Sequence, residues 1–115
     1  MLANGLRAQG FPKSARLLTR RDFTEARRGR RVEGRCFVAY VGAREAGAGA
    51  RLGLAVSARI GNSVCRNRVR RLAREVFRRL RPRLGNRDVL LVARPPAAGA
   101  RLADVERELL GACRE

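Results

Sequence analysis

The period of apolar and polar positions changes several times along this chain, and each change marks an element. Residues 1–12 mix Gly, Ala, Pro and basic side chains without periodicity and read as a flexible arm, leaving residues 13–115 as one domain. Thr19 fits a helix N-cap, with Asp22 completing a capping box and Leu18 and Phe23 forming a hydrophobic staple. A helix is therefore predicted from about Arg20 to Arg28, ended by Gly29. From Val32 to Gly42 the residues alternate as in a strand, with Cys36, Val38 and Tyr40 on one face and Phe37, Ala39 and Val41 on the other. After a Gly/Ala-rich turn at Arg44 to Ala50, a second strand from Arg51 to Ser57 sets Leu52, Leu54 and Val56 against Gly53, Ala55 and Ser57. The two strands are predicted to pair as an antiparallel hairpin.

Gly61-Asn62-Ser63 is a turn ending in two good N-cap residues, and beyond it the period becomes helical as far as about Leu80. Cys65, Val69, Leu72, Ala73, Val76, Phe77 and Leu80 form one apolar stripe that needs a sheet beneath it. Beside that stripe Arg66, Arg70, Arg74 and Arg78 recur at i, i+4 spacing, where like charges repel by a few tenths of a kcal/mol per pair. Pro82 and Gly85 break the helix, and the nearly continuous apolar run Asp88 to Ala93 reads as an inner strand covered on both sides. Pro95-Pro96 ends it, and Leu102, Val105, Leu109, Leu110 and Cys113 give the stripe of a closing helix. The fold class is α+β: a small single-domain two-layer sandwich in the order α-β-β-(β)-α-β-α, without internal repeats.

Charge decides what this fold is for. The 115 residues carry 27 basic and 10 acidic side chains, a net +17, and a domain so small at that charge repels itself unless a polyanion neutralises it. Lys13 is the sole lysine, so the charge is guanidinium, which grips phosphate with two parallel hydrogen bonds and stacks on bases. Histidine is absent, which removes the usual general base and the commonest metal ligand, so hydrolysis by protein side chains is not expected. Cys36, Cys65 and Cys113 have no CxxC spacing and read as small core residues. No apolar run reaches the roughly 18 to 20 residues of a membrane span, and a cytoplasmic protein is expected.

Function is concentrated in Arg66 to Arg79, where Glu75 is the lone acid among many arginines. A solvated charged face would carry more balancing acids. The array instead suits RNA, because each guanidinium offers a fork to phosphate and Asn67 adds a donor and an acceptor for ribose or base edges. A ribosomal-type RNA-binding protein or a DNA-binding architectural protein would share this charge and size.

Arg51-Leu52-Gly53-Leu54-Ala55-Val56-Ser57, then Ile60-Gly61-Asn62-Ser63-Val64-Cys65 and the Arg66-Asn67-Arg68 helix, resembles the signature of the bacterial ribonuclease P protein component. The likeness extends to Arg20 to Phe23, Arg35 to Tyr40 and Asp88 to Pro95, and spans roughly residues 12–112. It implies a left-handed βαβ crossover. It also implies a subunit that binds the catalytic ribonuclease P RNA and the 5′ leader of precursor tRNA, and that assists Mg2+-dependent removal of the leader. The Mg2+ is then bound mainly by the RNA subunit and substrate, leaving no catalytic side chain in the protein.

Carried over by position, the resemblance assigns Arg59, Asn62, Arg66, Asn67, Arg68, Arg70, Arg71 and Arg74 to the RNA subunit, and Phe23, Arg27, Tyr40, Lys13 and Arg16 to the leader. Phe23 also reads as the staple of the first helix, and Tyr40 as a core residue. Two positions depart from the family's pattern. Arg27 stands where a second aromatic is common, so guanidinium stacking or a phosphate contact replaces ring stacking there, and Ala58 stands where a basic residue is usual.

Overall fold

The computed structural model describes residues 15–17 and 19–114; Lys13, Leu18 and the predicted arm lie outside them. Helix α1 (Arg20–Ala26) starts on the predicted capping box: Thr19 Oγ1 accepts from the Asp22 amide at 3.0 Å and Asp22 Oδ2 from the Thr19 amide at 3.1 Å. It ends at Ala26 with Arg27 as its C-cap, slightly short of the predicted Arg28. Strands β1 (Arg30–Glu33), β2 (Phe37–Ala43) and β3 (Arg51–Ala55) follow, then helix α2 (Ser63–Leu80), strand β4 (Arg87–Ala93) and helix α3 (Leu102–Ala112). The α-β-β-β-α-β-α order matches the expectation, including the additional strand.

The four strands form one sheet in the order β1-β2-β4-β3. Two strand expectations are corrected by it. Val32 to Gly42 is two strands, with Gly34, Arg35 and Cys36 turning the chain so that β1 pairs antiparallel with β2. The predicted antiparallel pair of this region with the strand at 51–57 does not form either. Instead β4 lies between them, antiparallel to β2 and parallel to β3. Physically, the long helix α2 carries the chain from the end of β3 back to the start of β4, which makes their pairing parallel. It also places the most apolar strand in the middle, where both edges and both faces are covered.

At the start of the parallel pair, Arg51 Nε and Nη2 reach the two carboxylate oxygens of Asp88 at 2.7 and 2.8 Å. The two residues are register partners, so this forked contact favours that alignment over a slipped one.

One sheet face carries Phe37, Ala39, Val41, Leu52, Leu54, Val89 and Leu91 and packs against α2 and α3. From α2 it receives Val69, Ala73, Val76, Phe77 and Leu80, all buried, as the stripe predicts, with Cys65 and Leu72 half-buried at its edges. From α3 it receives Val105, Leu109 and Ala112. The opposite face is covered over a smaller area: Leu17, Phe23 and Ala26 meet Tyr40, Leu90 and Val92. Leu17 lies directly over Gly53, where an added Cβ would come within 2.9 Å of its Cδ1 and force the leucine to shift, so glycine favours this close cover. All three cysteines are free thiols; Cys36 and Cys113 are buried and Cys65 is half-buried.

Candidate nucleic-acid interface

Helical geometry sorts the arginines of α2 before any contact is considered. At about 100° per residue, Arg66, Arg70 and Arg74 step about 40° at a time along one flank of the apolar stripe, whereas Arg68 falls about 160° from Arg66 on the other flank. The Arg66, Arg70 and Arg74 flank runs toward β3. There a groove of about 230 Å3 is lined by Arg16, Leu17, Phe23, Leu52, Leu54, Arg70 and Arg74, with no acidic residue in its wall. The Leu17 amide donates to the Leu52 carbonyl oxygen at 2.9 Å and Arg16 bridges to Leu52, which sets Arg16 along β3 facing the helix.

Electrostatics in this groove are unfavourable for the free protein. Desolvation, together with the nearby Arg16 and Arg70 charges, holds the Arg74 guanidinium below its ordinary pKa. Arg70 is steadied by a neighbour, since its Nη1 donates to Asn67 Oδ1 at 3.1 Å. At the head of the row the Nε–H of Arg66 is buried without a hydrogen-bond partner, the one such side-chain atom among the described residues. A buried donor left unpaired costs about 1 to 3 kcal/mol, so this donor is unfavourable in the free protein.

The two candidate aromatic residues lie on the other sheet face. Phe23 of α1 and Tyr40 of β2 are both half-buried in the small cluster with Leu17, Ala26, Leu90 and Val92. Arg27 sets its guanidinium carbon 5.8 Å from the centroid of the Tyr40 ring, within cation–π range. From β1, Arg31 is the register partner of Tyr40, and the Tyr40 hydroxyl, followed by the Glu33 contacts, raises the Arg31 pKa. Arg31 also forms an ion pair with Glu33. Tyr40 is therefore neither plain core nor free: its ring sits on the apolar cluster while two guanidiniums attend its face and hydroxyl. Phe23 joins this cluster to the groove, because it lines both. The residues assigned separately to leader and RNA subunit thus meet in one continuous surface.

The remaining candidates divide. Asn62 is the N-cap of α2, its Oδ1 accepting from the Cys65 amide at 2.9 Å, and Arg59 is exposed on the 58–60 turn capped by Ser57. Asn67 and Arg71 are exposed on the outer side of α2. Arg68 is engaged elsewhere, donating through Nη1 to the Ala98 carbonyl oxygen at 3.2 Å and through Nη2 to that of Ala100 at 2.8 Å. Toward the end of the helix, Glu75 takes Arg78 and Arg79 at 2.6 and 2.9 Å, and the hydrogen bond from Arg78 is the largest cause of its lowered pKa. The acid-free stretch of α2 therefore stops at Arg74. Lys13 lies outside the described residues. Sequence reasoning missed Arg31, whose strand went unrecognised, and the role of Arg68, although the two-residue step from Arg66 already put it on the opposite flank.

The described residues contain no group of three or more His, Cys, Asp or Glu side chains placed to hold a metal ion. No helix among them is long and apolar enough to cross a membrane.

Residues 11–115 match the family model described as Ribonuclease P. The chain is 42% identical over 101 residues to the ribonuclease P protein component of Desulforapulum autotrophicum, covering 86% of each, and 36% identical over 100 residues to that of Listeria monocytogenes, covering 85% of this chain and 84% of the relative. Among solved structures, the Staphylococcus aureus RNase P protein superposes with a TM-score of 0.74 at 28% identity, covering 89% of this chain and 94% of that one. A mutant of that protein with defective mRNA degradation activity gives a TM-score of 0.80 at 25% identity, covering 99% and 98%. The Thermotoga maritima RNase P protein, solved with 1-(4-fluorophenyl)-2-thiourea, gives 0.75 at 25% identity, covering 86% and 97%.

Proposed function

The chain belongs to the ribonuclease P protein family, and from that premise we propose that its groove and the adjoining face of α2 bind the backbone of the catalytic RNA while the Phe23–Tyr40 surface receives the 5′ leader of precursor tRNA. The observation that carries this reading is the unpartnered Arg66 Nε–H at the head of an acid-free row of guanidiniums. A phosphate oxygen would satisfy that donor and relieve the mutual repulsion among Arg16, Arg70 and Arg74, with counterion release adding to the gain.

Arg59, Asn62, Arg66, Asn67, Arg70, Arg71 and Arg74 belong to the surface toward the RNA subunit. Arg68 borders it while retaining its carbonyl contacts. Phe23, Tyr40, Arg27, Arg16 and Lys13 belong to the leader side, where an aromatic ring stacks on a base without reading much sequence. Among the described residues no cluster of acidic side chains is placed to hold a metal ion, and on this reading the Mg2+ of the reaction is bound mainly by the RNA and the substrate. The protein's share is to bind and orient strands in the cytoplasm, and the RNA carries the hydrolysis.

The test mixes the full chain with a ribonuclease P RNA and a precursor tRNA at low Mg2+ and follows release of the leader. Stimulated release is expected. RNA binding without stimulation would return the chain to a non-enzymatic, ribosomal type of RNA-binding protein.

A further inference from the structure

A second cationic surface lies at the far end of the molecule, about 27 Å along α2 from Asn62. Here the turn after α2, the start of β4 and the end of α3 enclose an opening of about 360 Å3 lined by Arg83, Leu84, Arg87, Leu110, Cys113 and Arg114, with no acid in its wall. Arg30, at the start of β1, adds a fourth guanidinium: its Nη2 donates to the Ala112 carbonyl oxygen at 2.8 Å, and its charge acts on Cys113. None of these four belongs to the groove or to the aromatic surface.

Part of this charge has a local purpose. Arg30 caps a carbonyl at the end of α3, and Arg87 donates to the Leu84 carbonyl oxygen at 2.7 Å beyond the end of α2, where cations offset the negative ends of the two helices. Arg83 and Arg114 are different: both are exposed, and neither guanidinium has a hydrogen-bond or ion-pair partner among the described residues. Asp88, next to Arg87 in the sequence, is already engaged by Arg51 and Arg44. A chain that needed positive charge on one face alone would gain solubility and stability from acids here.

We propose that this end is a second RNA-backbone site, in which Arg83 and Arg114, on a base fixed by Arg30 and Arg87, hold phosphates of an RNA segment other than the one bound along Arg66, Arg70 and Arg74. Phosphodiester is favoured over a protein partner because the opening is ringed by guanidiniums, and the one exposed large apolar side chain among the described residues, Val64, is at the other end of α2. The protein then bridges two stretches of one folded RNA. The proposal rests on the ribonuclease P reading.

The experiment compares full-length wild type, Arg83→Ala/Arg114→Ala and Arg66→Ala for binding to a ribonuclease P RNA over a salt series, together with nuclease footprints and thermal melts. The double variant is expected to melt as wild type, to lower the slope of log affinity against log salt by about 2, and to lose protection at nucleotides that Arg66→Ala leaves protected. An unchanged slope with a lowered melting temperature would assign these arginines to the helix ends and overturn the proposal, as would loss of the same nucleotides in both variants. If Arg66→Ala also binds as wild type, it is the ribonuclease P reading of the groove that fails.

Discussion

Arg68 Nη2 lies 2.8 Å from the carbonyl oxygen of Ala100, a contact that ties the middle of the sequence to the entry of its last helix. With the companion bond to Ala98, the guanidinium straps the 95–99 turn onto α2. Charged donors on otherwise unpaired carbonyls are worth more than neutral ones, and α3 depends on this turn for its position against the core.

Replacing Arg68 with Ala is therefore expected to lower stability by about 1 to 2 kcal/mol in urea unfolding. Arg68→Lys, which cannot fork across two carbonyls, should recover part of the loss. A variant as stable as wild type but weak for RNA would make Arg68 a phosphate ligand first.

Arg66→Ala should behave in the opposite way. Its Nε–H is unpaired in the fold, so truncation leaves the melting temperature unchanged or slightly higher, while affinity for a ribonuclease P RNA drops and the salt slope falls by about 1. Thermal melts alongside filter binding separate the two effects. A strongly destabilised Arg66→Ala protein would remove the site from the groove's phosphate path.

For Tyr40 the ring and the hydroxyl can be tested apart. Tyr40→Phe removes the hydroxyl beside Arg31 but keeps the ring under Arg27, so binding of precursor over mature tRNA is expected to persist. Tyr40→Ala should weaken precursor binding selectively, by about 1 to 3 kcal/mol. Equal losses for precursor and mature tRNA would mean that the ring supports the fold and meets no leader base.

Net charge predicts an anion requirement. At +17, with Arg16, Arg70 and Arg74 set in one groove, the protein should lose helical signal at low ionic strength and regain it as sulfate is titrated in, because anions that bind the folded state stabilise it by mass action. Circular dichroism reads this directly. Arg70→Ala/Arg74→Ala should need less sulfate, and a wild-type spectrum insensitive to sulfate would contradict the expectation.

Helix α2 was legible because both of its signals are local: a turn ending in two good caps, Asn62 and Ser63, of which Asn62 is the cap, and the apolar stripe from Cys65 to Leu80. The central place of β4 was legible from its unbroken apolar run. The β1–β2 hairpin was not. Three of the four residues in β1 are charged, so Val32 alone carries the pattern, and the turn after it has a distant cause. Glu108 of α3 accepts from the Cys36 and Phe37 amides at 2.9 and 3.1 Å, and a Cβ on Gly34 would lie 2.1 Å from its carboxylate oxygen. No local rule reports a carboxylate arriving from seventy-odd residues away. The partner of β3 was hidden similarly, since Leu52 and Leu54 alternate identically in parallel and antiparallel pairs. At the interface, the arginines could be read as an RNA array from composition, but their division into groove, strap and far end depends on what each flank of α2 faces.

The strand that joins the two halves of the sheet is also the last to leave the ribosome. Until residues 87–93 have been synthesised, β2 and β3 share no neighbour, and a nascent chain holds a hairpin and an unattached arginine helix. Assembly must then proceed by late insertion, with long loops closed at once, which slows folding and leaves the basic helix accessible to RNA before the core exists. A gene fragment ending before Arg87 would for the same reason yield no partial sheet across β2 and β3.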